Sequence, residues 1–238
     1  MRADLSTLGV ESVGGGRVIL HGRSRWLFLA LAAVVLLITL QSARIGVAGL
    51  IVEMAQSEVD RWNFTQARRS LRDVNRVAGF FSDSLGILPG NPRALEGLGA
   101  LGLTRVRLAR TPREAVAYTR DARLQFRRAM QERPTSPFLW ANLARSKLLL
   151  DEVDAEFFRA LRIADALGPW EPATQRSLVF LGLAVWEKLD PELQQAMVRS
   201  VGRGARHDAP KMYEIVKSYR RFDLVCGIQE YNLIAGKE

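Results

Sequence analysis

The hydrophobic pattern changes character once along the chain. From Trp26 to Leu40 the apolar residues are continuous, "WLFLALAAVVLLITL", with no charge and no helix breaker. Beyond Arg44 they recur at three- and four-residue intervals, the spacing of one helix face, and no stretch keeps up strand-like alternation. The pattern predicts an all-α chain, an apolar span followed by a row of amphipathic helices.

Gln41, Ser42 and Ala43 lengthen the span to 18 residues before Arg44. At 1.5 Å per residue that is about 27 Å, close to the ~30 Å hydrocarbon core of a bilayer. Apolar character resumes in "IGVAGLIV", so the span is able to extend to about residue 51 with Arg44 snorkelling to the interface. Trp26 stands where an interfacial aromatic belongs. A cleaved signal peptide fits less well. Cleavage after Ala43 places Gln41 two residues upstream, cleavage after Ala48 lies beyond Arg44, and the leading 25 residues are long for a signal. A buried soluble helix is the third reading. Arg17, Arg23 and Arg25 precede the span against Arg44 just after it, so the positive-inside rule sets the N-terminus in the cytoplasm. The expected organisation is a cytoplasmic segment 1–25, a transmembrane helix 26–43, and a periplasmic helical domain 44–238.

The periodicity beyond the span predicts helices over Ile45–Trp62, Thr65–Ser82, Pro92–Arg110, Pro112–Glu132, Pro137–Leu150, Asp154–Leu167, Glu171–Leu189, Pro191–Val201 and Ala209–Arg221. Pro92, Pro112, Pro137 and Pro191 suit a first helical turn, where the missing N–H costs nothing. Asn91, Thr111, Ser136 and Asp190 precede them as N-caps.

Charge and composition narrow the function. The chain has 238 residues and a net charge of +9; residues 1–43 carry +2 and the remainder +7. A soluble basic protein would suggest nucleic acid. A basic domain outside a membrane meets anionic lipid, anionic polymer or an acidic protein face instead, so no nucleic-acid partner is expected. One cysteine, Cys226, allows no intramolecular disulfide, and its apolar surroundings suit an inert buried thiol. His21 and His207 stand far apart, which argues against a His/Cys metal cage. No metal and no cofactor are expected.

The stretch from Ala122 to Leu150 carries a helix-pair pattern. Ala122, Phe126, Ala129 and Pro134 close one helix, and Trp140, Leu143 and Ala144 open the next. This resembles the tetratricopeptide repeat, with Lys147 in place of the usual aromatic. An earlier copy of the opening falls at Leu95, Leu98 and Gly99, 45 residues upstream of Trp140, Leu143 and Ala144. A looser copy follows at Phe157, Leu161 and Ala164. About two degenerate repeats flanked by capping helices are expected, a short α-solenoid.

Candidate chemistry is sparse. "GLGALG" at Gly97–Gly102 fits a dinucleotide-binding spacing but lies inside a helical run, where its glycines are expected to be close-packing points. "GGG" at Gly14–Gly16 lacks the Lys of a phosphate loop and reads as a linker. Asp151, Glu152, Asp154 and Glu156 offer carboxylates for glycoside chemistry, but acids at a helix start are usually caps and dipole partners. No catalytic residue is assigned, and the protein is expected not to be an enzyme. Two arginine stripes remain. Arg68, Arg72 and Arg76 share one helix face, and Arg120, Arg123 and Arg127 another, with Arg128 beside them. They read either as solvated faces or as a surface for phosphate, carboxylate or acidic peptide. Trp140 is expected to be core, filling the groove between its helix and the one before. Trp186 is a lesser candidate for sugar stacking, and Trp170, in a loop, is the most open one.

A narrower similarity rests on Trp140–Leu143 "WANL", Asp154–Phe158 "DAEFF", Gly168–Pro172 "GPWEP" and the terminal "DLVC". Over about Asn91 to Cys226 the chain resembles the VpsP-type proteins of bacterial exopolysaccharide gene clusters. The resemblance implies an anchored, repeat-containing accessory role in polysaccharide synthesis or export, and transfers no active site. The leading expectation is a non-catalytic scaffold in the bacterial inner membrane that contacts membrane-embedded or periplasmic proteins of that machinery. The second is a glycan-binding module that meets an anionic polysaccharide through the arginine stripes and Trp170.

Overall fold

The computed structural model describes residues 22–65 and 69–224. The described residues form eight α-helices and two short 3-10 turns, with no strand. By contacts the chain divides into two compact units, Met1–Ala43 and Arg44–Glu238.

Helix α1 spans Gly22–Thr65. It joins what the sequence presents as an apolar span and a separate helix, because Arg44 is itself a good helix former and no Gly-Pro break separates them. Every residue from Trp26 to Val47 is exposed, so the apolar run is not covered by any of the described residues. One helix near the N-terminus is thus long and apolar enough to cross a membrane. Arg44 is exposed and also has a partner within the chain. Its Nη2 donates to the carbonyl of Ile87 at 2.8 Å, where a helix C-terminus leaves an orphan acceptor and a negative dipole end.

Helix α2 spans Leu71–Ile87, not Thr65–Ser82. Its start is set by a capping box. The Ser70 hydroxyl accepts from the Asp73 N–H, and the Asp73 carboxylate accepts from the Ser70 N–H. Helices α3 (Pro92–Leu108), α4 (Pro112–Glu132), α5 (Pro137–Leu149) and α6 (Ala155–Leu167) begin as the sequence predicts. Asn91 caps the Arg93 N–H, Thr111 the Glu114 N–H, and Asp154 the Phe157 N–H. Ser136 is an exception. It makes no side-chain capping bond, and Pro137 alone marks that start.

Helix α7 (Pro172–Ala184) stops short of Leu189, and a 3-10 turn at Trp186–Lys188 follows. Helix α8 (Pro191–Ser218) merges the last two predicted helices. It breaks only at Asp208, whose φ of −154° and ψ of 74° are not helical. Asp208 accepts from the Lys211 N–H, and Pro210 sits in the first turn beyond, so the break is a helix restart.

Four apolar clusters run along the second unit. Val52, Ala55, Val77 and Phe81 join α1, α2 and α3. Leu95, Ala122, Phe126 and Leu139 join α3, α4 and α5. Ala144, Phe157, Leu161, Leu181 and Met197 join α5 through α8, and Val179, Val201 and Val216 close the end. Helix α3 packs chiefly on α4, α5 on α6, and α7 on α8, with α5 also touching α7. The glycines of "GLGALG" permit close approaches of α3 to its neighbours. A Cβ at Gly97 would meet Phe81 at 2.4 Å, and one at Gly99 would meet Phe126 at 2.4 Å. Burying a side chain the size of Phe126 contributes about 1.5–3 kcal/mol, which the close approach secures.

Candidate functional site

Two features that the sequence shows separately, the second arginine stripe and the acidic cluster, meet in space. Lys147 lies on α5 with its side chain only 3% exposed. The chain leaves α5 through Asp151, whose φ of 58° is left-handed. The Glu152 N–H then bonds back to the Lys147 carbonyl and the Asp151 N–H to that of Leu148, the hydrogen-bond pattern of a Schellman turn. This turn swings the following acids over Lys147. Its Nζ lies 3.3 Å from Glu152, 2.9 Å from Asp154 and 2.9 Å from Glu156. From α4, Arg123 reaches Glu152 at 2.5 Å and Arg127 reaches Glu156 at 2.8 Å. Three cations thus face three carboxylates.

The electrostatics follow from that geometry. Burial, the largest influence, lowers the Lys147 ammonium, but bonds to Glu156, Asp154 and Glu152 outweigh it and the net shift is upward. The Lys147 bond holds the Asp154 carboxyl below its usual range, helped by the Phe157 N–H. The same ammonium lowers Glu156 against partial burial, with the Arg127 charge adding to it. The cluster is charge-neutral and locks α4, α5 and α6 together. Lys147, which departs from the repeat pattern expected from sequence, is its hub.

This changes the picture of the stripe. Arg123 and Arg127 do not simply face water as expected. Arg123 is half-buried, and both are paired with acids of the next helix pair. Arg120 and Arg128 remain exposed. In the first stripe, Arg68 lies outside the described residues. Arg72 is exposed, and Arg76 is exposed and approaches Glu58 of α1 at 3.5 Å. Cys226 also lies outside the described residues.

The tryptophans separate cleanly. Trp140 packs against the α5–α8 cluster but is only half-buried, since its indole N–H turns out to the Pro134 carbonyl at 2.7 Å. It flanks the groove between α4 and α5 and does not fill it. Trp186 is half-buried under the Arg221 guanidinium, 4.3 Å from its ring centroid. Trp170 is 67% exposed. Its turn is pinned from below, for the buried Gln175 amide donates to the Gly168 carbonyl at 2.7 Å. Arg203 in turn holds Gln175 and ion-pairs with Asp165.

A cavity of 600 Å³ lies between α1 and α3 and was not foreseen from sequence. Glu53 and Glu96 line it with Arg93 and Arg133. Arg93 holds Glu53 at 2.7 Å, and Arg133 stands 3.6 Å from Glu96. Burial pushes the Glu96 carboxyl up against the Arg133 and Arg93 charges, and its Oε2 is buried without a hydrogen-bond partner. Among the described residues no cluster of His, Cys, Asp and Glu could hold a metal ion.

Comparison of the chain with protein-family models gives no match, and comparison with curated proteins gives none.

Proposed function

We propose that this chain is a membrane-anchored, non-catalytic scaffold with a tetratricopeptide-like α-solenoid, joining partner proteins of bacterial exopolysaccharide synthesis or export. The observation that carries the anchored scaffold is α1, apolar and exposed from Trp26 to Leu40 and packed among α2 and α3 from Ala48 onward. An exposed apolar surface of that extent is covered by lipid or protein in a soluble cell compartment. The ion cluster at Lys147 supports the scaffold part, because it stiffens a helix array without consuming or positioning a substrate. The polysaccharide context rests on the resemblance at Trp140–Leu143, Asp154–Phe158 and Gly168–Pro172.

The arginines flanking the span support an orientation with the N-terminus in the cytoplasm and the helical unit in the periplasm, across the inner membrane. Protease added to the periplasmic side digests the helical unit and leaves an anchored stub; protection from that side reverses the orientation. Co-purification from native membranes tests the scaffold itself. It recovers proteins of polysaccharide synthesis or export, and recovery of none of them refutes the reading.

One observation favours a second reading, a glycan-binding module. Trp170 is displayed, well exposed, on a turn that Gln175 and Arg203 hold fixed. Salt-sensitive retention on an anionic polysaccharide that is lost in Trp170→Ala would establish it.

A further inference from the structure

Arg145 and Arg176 are the exceptions among the partly buried cations of α4 to α8. Arg123, Arg203, Arg221 and Lys147 each meet a carboxylate. Arg145, on α5, is half-buried and meets none among the described residues. Burial first, then the charge of Arg107, pushes its guanidinium below the usual value. A guanidinium nonetheless stays protonated in a protein and carries five donors. The fold therefore keeps a partly desolvated positive charge beside another cation, and no carboxylate among the described residues pairs with it.

The surroundings show what would balance it. Arg145 lines a cleft of 360 Å³ with Arg176, Ser177 and Phe180 of α7, Leu181, and Ile215 of α8. No carboxylate lines that cleft. A second cleft, 350 Å³, shares Arg176 and Ile215 with it and runs on to Lys211 and Glu214. Asp208 lies within the field of Arg176, but Lys211 already holds it at 2.9 Å. The floor is apolar. Phe180 is 42% exposed and rests edge-on against Tyr219, and Ile215 is half-buried beside it.

The geometry points to a binding site for an acidic peptide segment of a partner protein, with a carboxylate between Arg145 and Arg176 and a neighbouring aliphatic or aromatic side chain on Phe180 and Ile215. The charge of Arg107 adds to the positive field at Arg145. A peptide suits the cleft better than a glycan. A sugar ring presents hydroxyls on several sides and needs neutral donors and acceptors around it, and Ser177 is the one neutral polar side chain lining the first cleft. The site rests on the scaffold reading and supplies the surface that reading lacks.

The test uses the full chain in lipid nanodiscs and a random dodecapeptide display library as the probe. Recovered sequences should place Asp or Glu next to Leu, Ile or Phe. A synthetic copy of the best one should bind the Arg145→Gln/Arg176→Gln double variant roughly tenfold more weakly or worse, and bind the exposed Arg113→Gln as well as wild type. The double variant should keep its thermal midpoint, because Arg145 gives up no intramolecular bond. Sequences with no acidic enrichment, or affinity unchanged in the double variant, overturn the proposal. Displacement by oligoglucuronate at lower concentration than by the peptide also overturns it, in favour of a glycan. Co-purification from native membranes separates this failure from that of the scaffold. Equal partner recovery by wild type and double variant refutes the site and leaves the scaffold standing. Recovery of no partner by wild type refutes the scaffold.

Discussion

The Nζ of Lys147 and the Oε2 of Glu156 lie 2.9 Å apart across the turn that joins α5 to α6. Asp154 and Glu152 accept from the same ammonium, and Arg127 and Arg123 bind the far sides of the acids. Removing the hub leaves three carboxylates crowded against two arginines. Lys147→Met should destabilise the helical unit by about 2–3 kcal/mol. That is less than the ~3–5 kcal/mol of a fully buried broken pair, because the carboxylates keep contact with water. Urea unfolding at neutral pH measures it.

The same cluster sets a pH dependence. Asp154 and Glu156 are held below their ordinary values of 3.8 and 4.5, so the unfolded chain binds more protons in that range. Their contribution is complete above those values and is lost as pH falls through the lowered ones. Lys147 is raised above its ordinary 10.5, so its contribution is complete below that value and is lost only as pH rises through the higher one. Wild type should lose stability on acidification below about pH 4.5 more steeply than Lys147→Met. The gap between the two should narrow by pH 3, and equal slopes in urea titrations would show that the cluster does not titrate with folding.

Arg120 and Arg127 stand about two helical turns apart in the same stripe yet differ in role, since Arg127 is ion-paired and Arg120 is simply exposed. Arg120→Ser should change stability by less than ~0.5 kcal/mol. Arg123→Ser with Arg127→Ser should cost about 1–2 kcal/mol, more at low salt than at high. Melting curves at two ionic strengths distinguish them.

Gly99 and Gly79 form a matched pair. Alanine at Gly99 would drive a Cβ to 2.4 Å from the fully buried Phe126, whereas nothing lies within 4 Å of one at Gly79. Gly99→Ala should destabilise by about 1–3 kcal/mol despite its gain in helix propensity. Gly79→Ala should stabilise by about 0.5–1 kcal/mol. Thermal unfolding of both reads out whether the close approach of α3 to α4 is as drawn.

Trp140→Ala should cost about 2–3 kcal/mol. The side chain is half-buried and its N–H meets the Pro134 carbonyl, so it loses less than the ~3–5 kcal/mol of a fully enclosed tryptophan. Unchanged melting with altered binding would make it a ligand platform instead.

The features read correctly from sequence are local. A prolyl ring or a capping hydroxyl acts within three or four residues of itself, so Asn91–Pro92, Thr111–Pro112 and Asp190–Pro191 announce their helices wherever the chain goes. The apolar run from Trp26 to Leu40 is equally self-contained, because transfer of a helix into hydrocarbon depends on its own residues. "GLGALG" was placed correctly because its position inside a helical run excludes the tight turn of a nucleotide site.

Tertiary structure decided the rest. Lys147 reads as a defect in a repeat until the left-handed turn at Asp151 brings acids five, seven and nine residues ahead back over its ammonium. Arg44 reads as a snorkelling charge until α2 delivers the Ile87 carbonyl 43 residues away. Arg145 carried a faint signal, a cation in a helix that is apolar nearly all round. Its cleft depends on how α7 and α8 lie against α5. A charge in a chain is defined by what stands within a few ångströms of it, and for these residues that neighbour comes from a different helix.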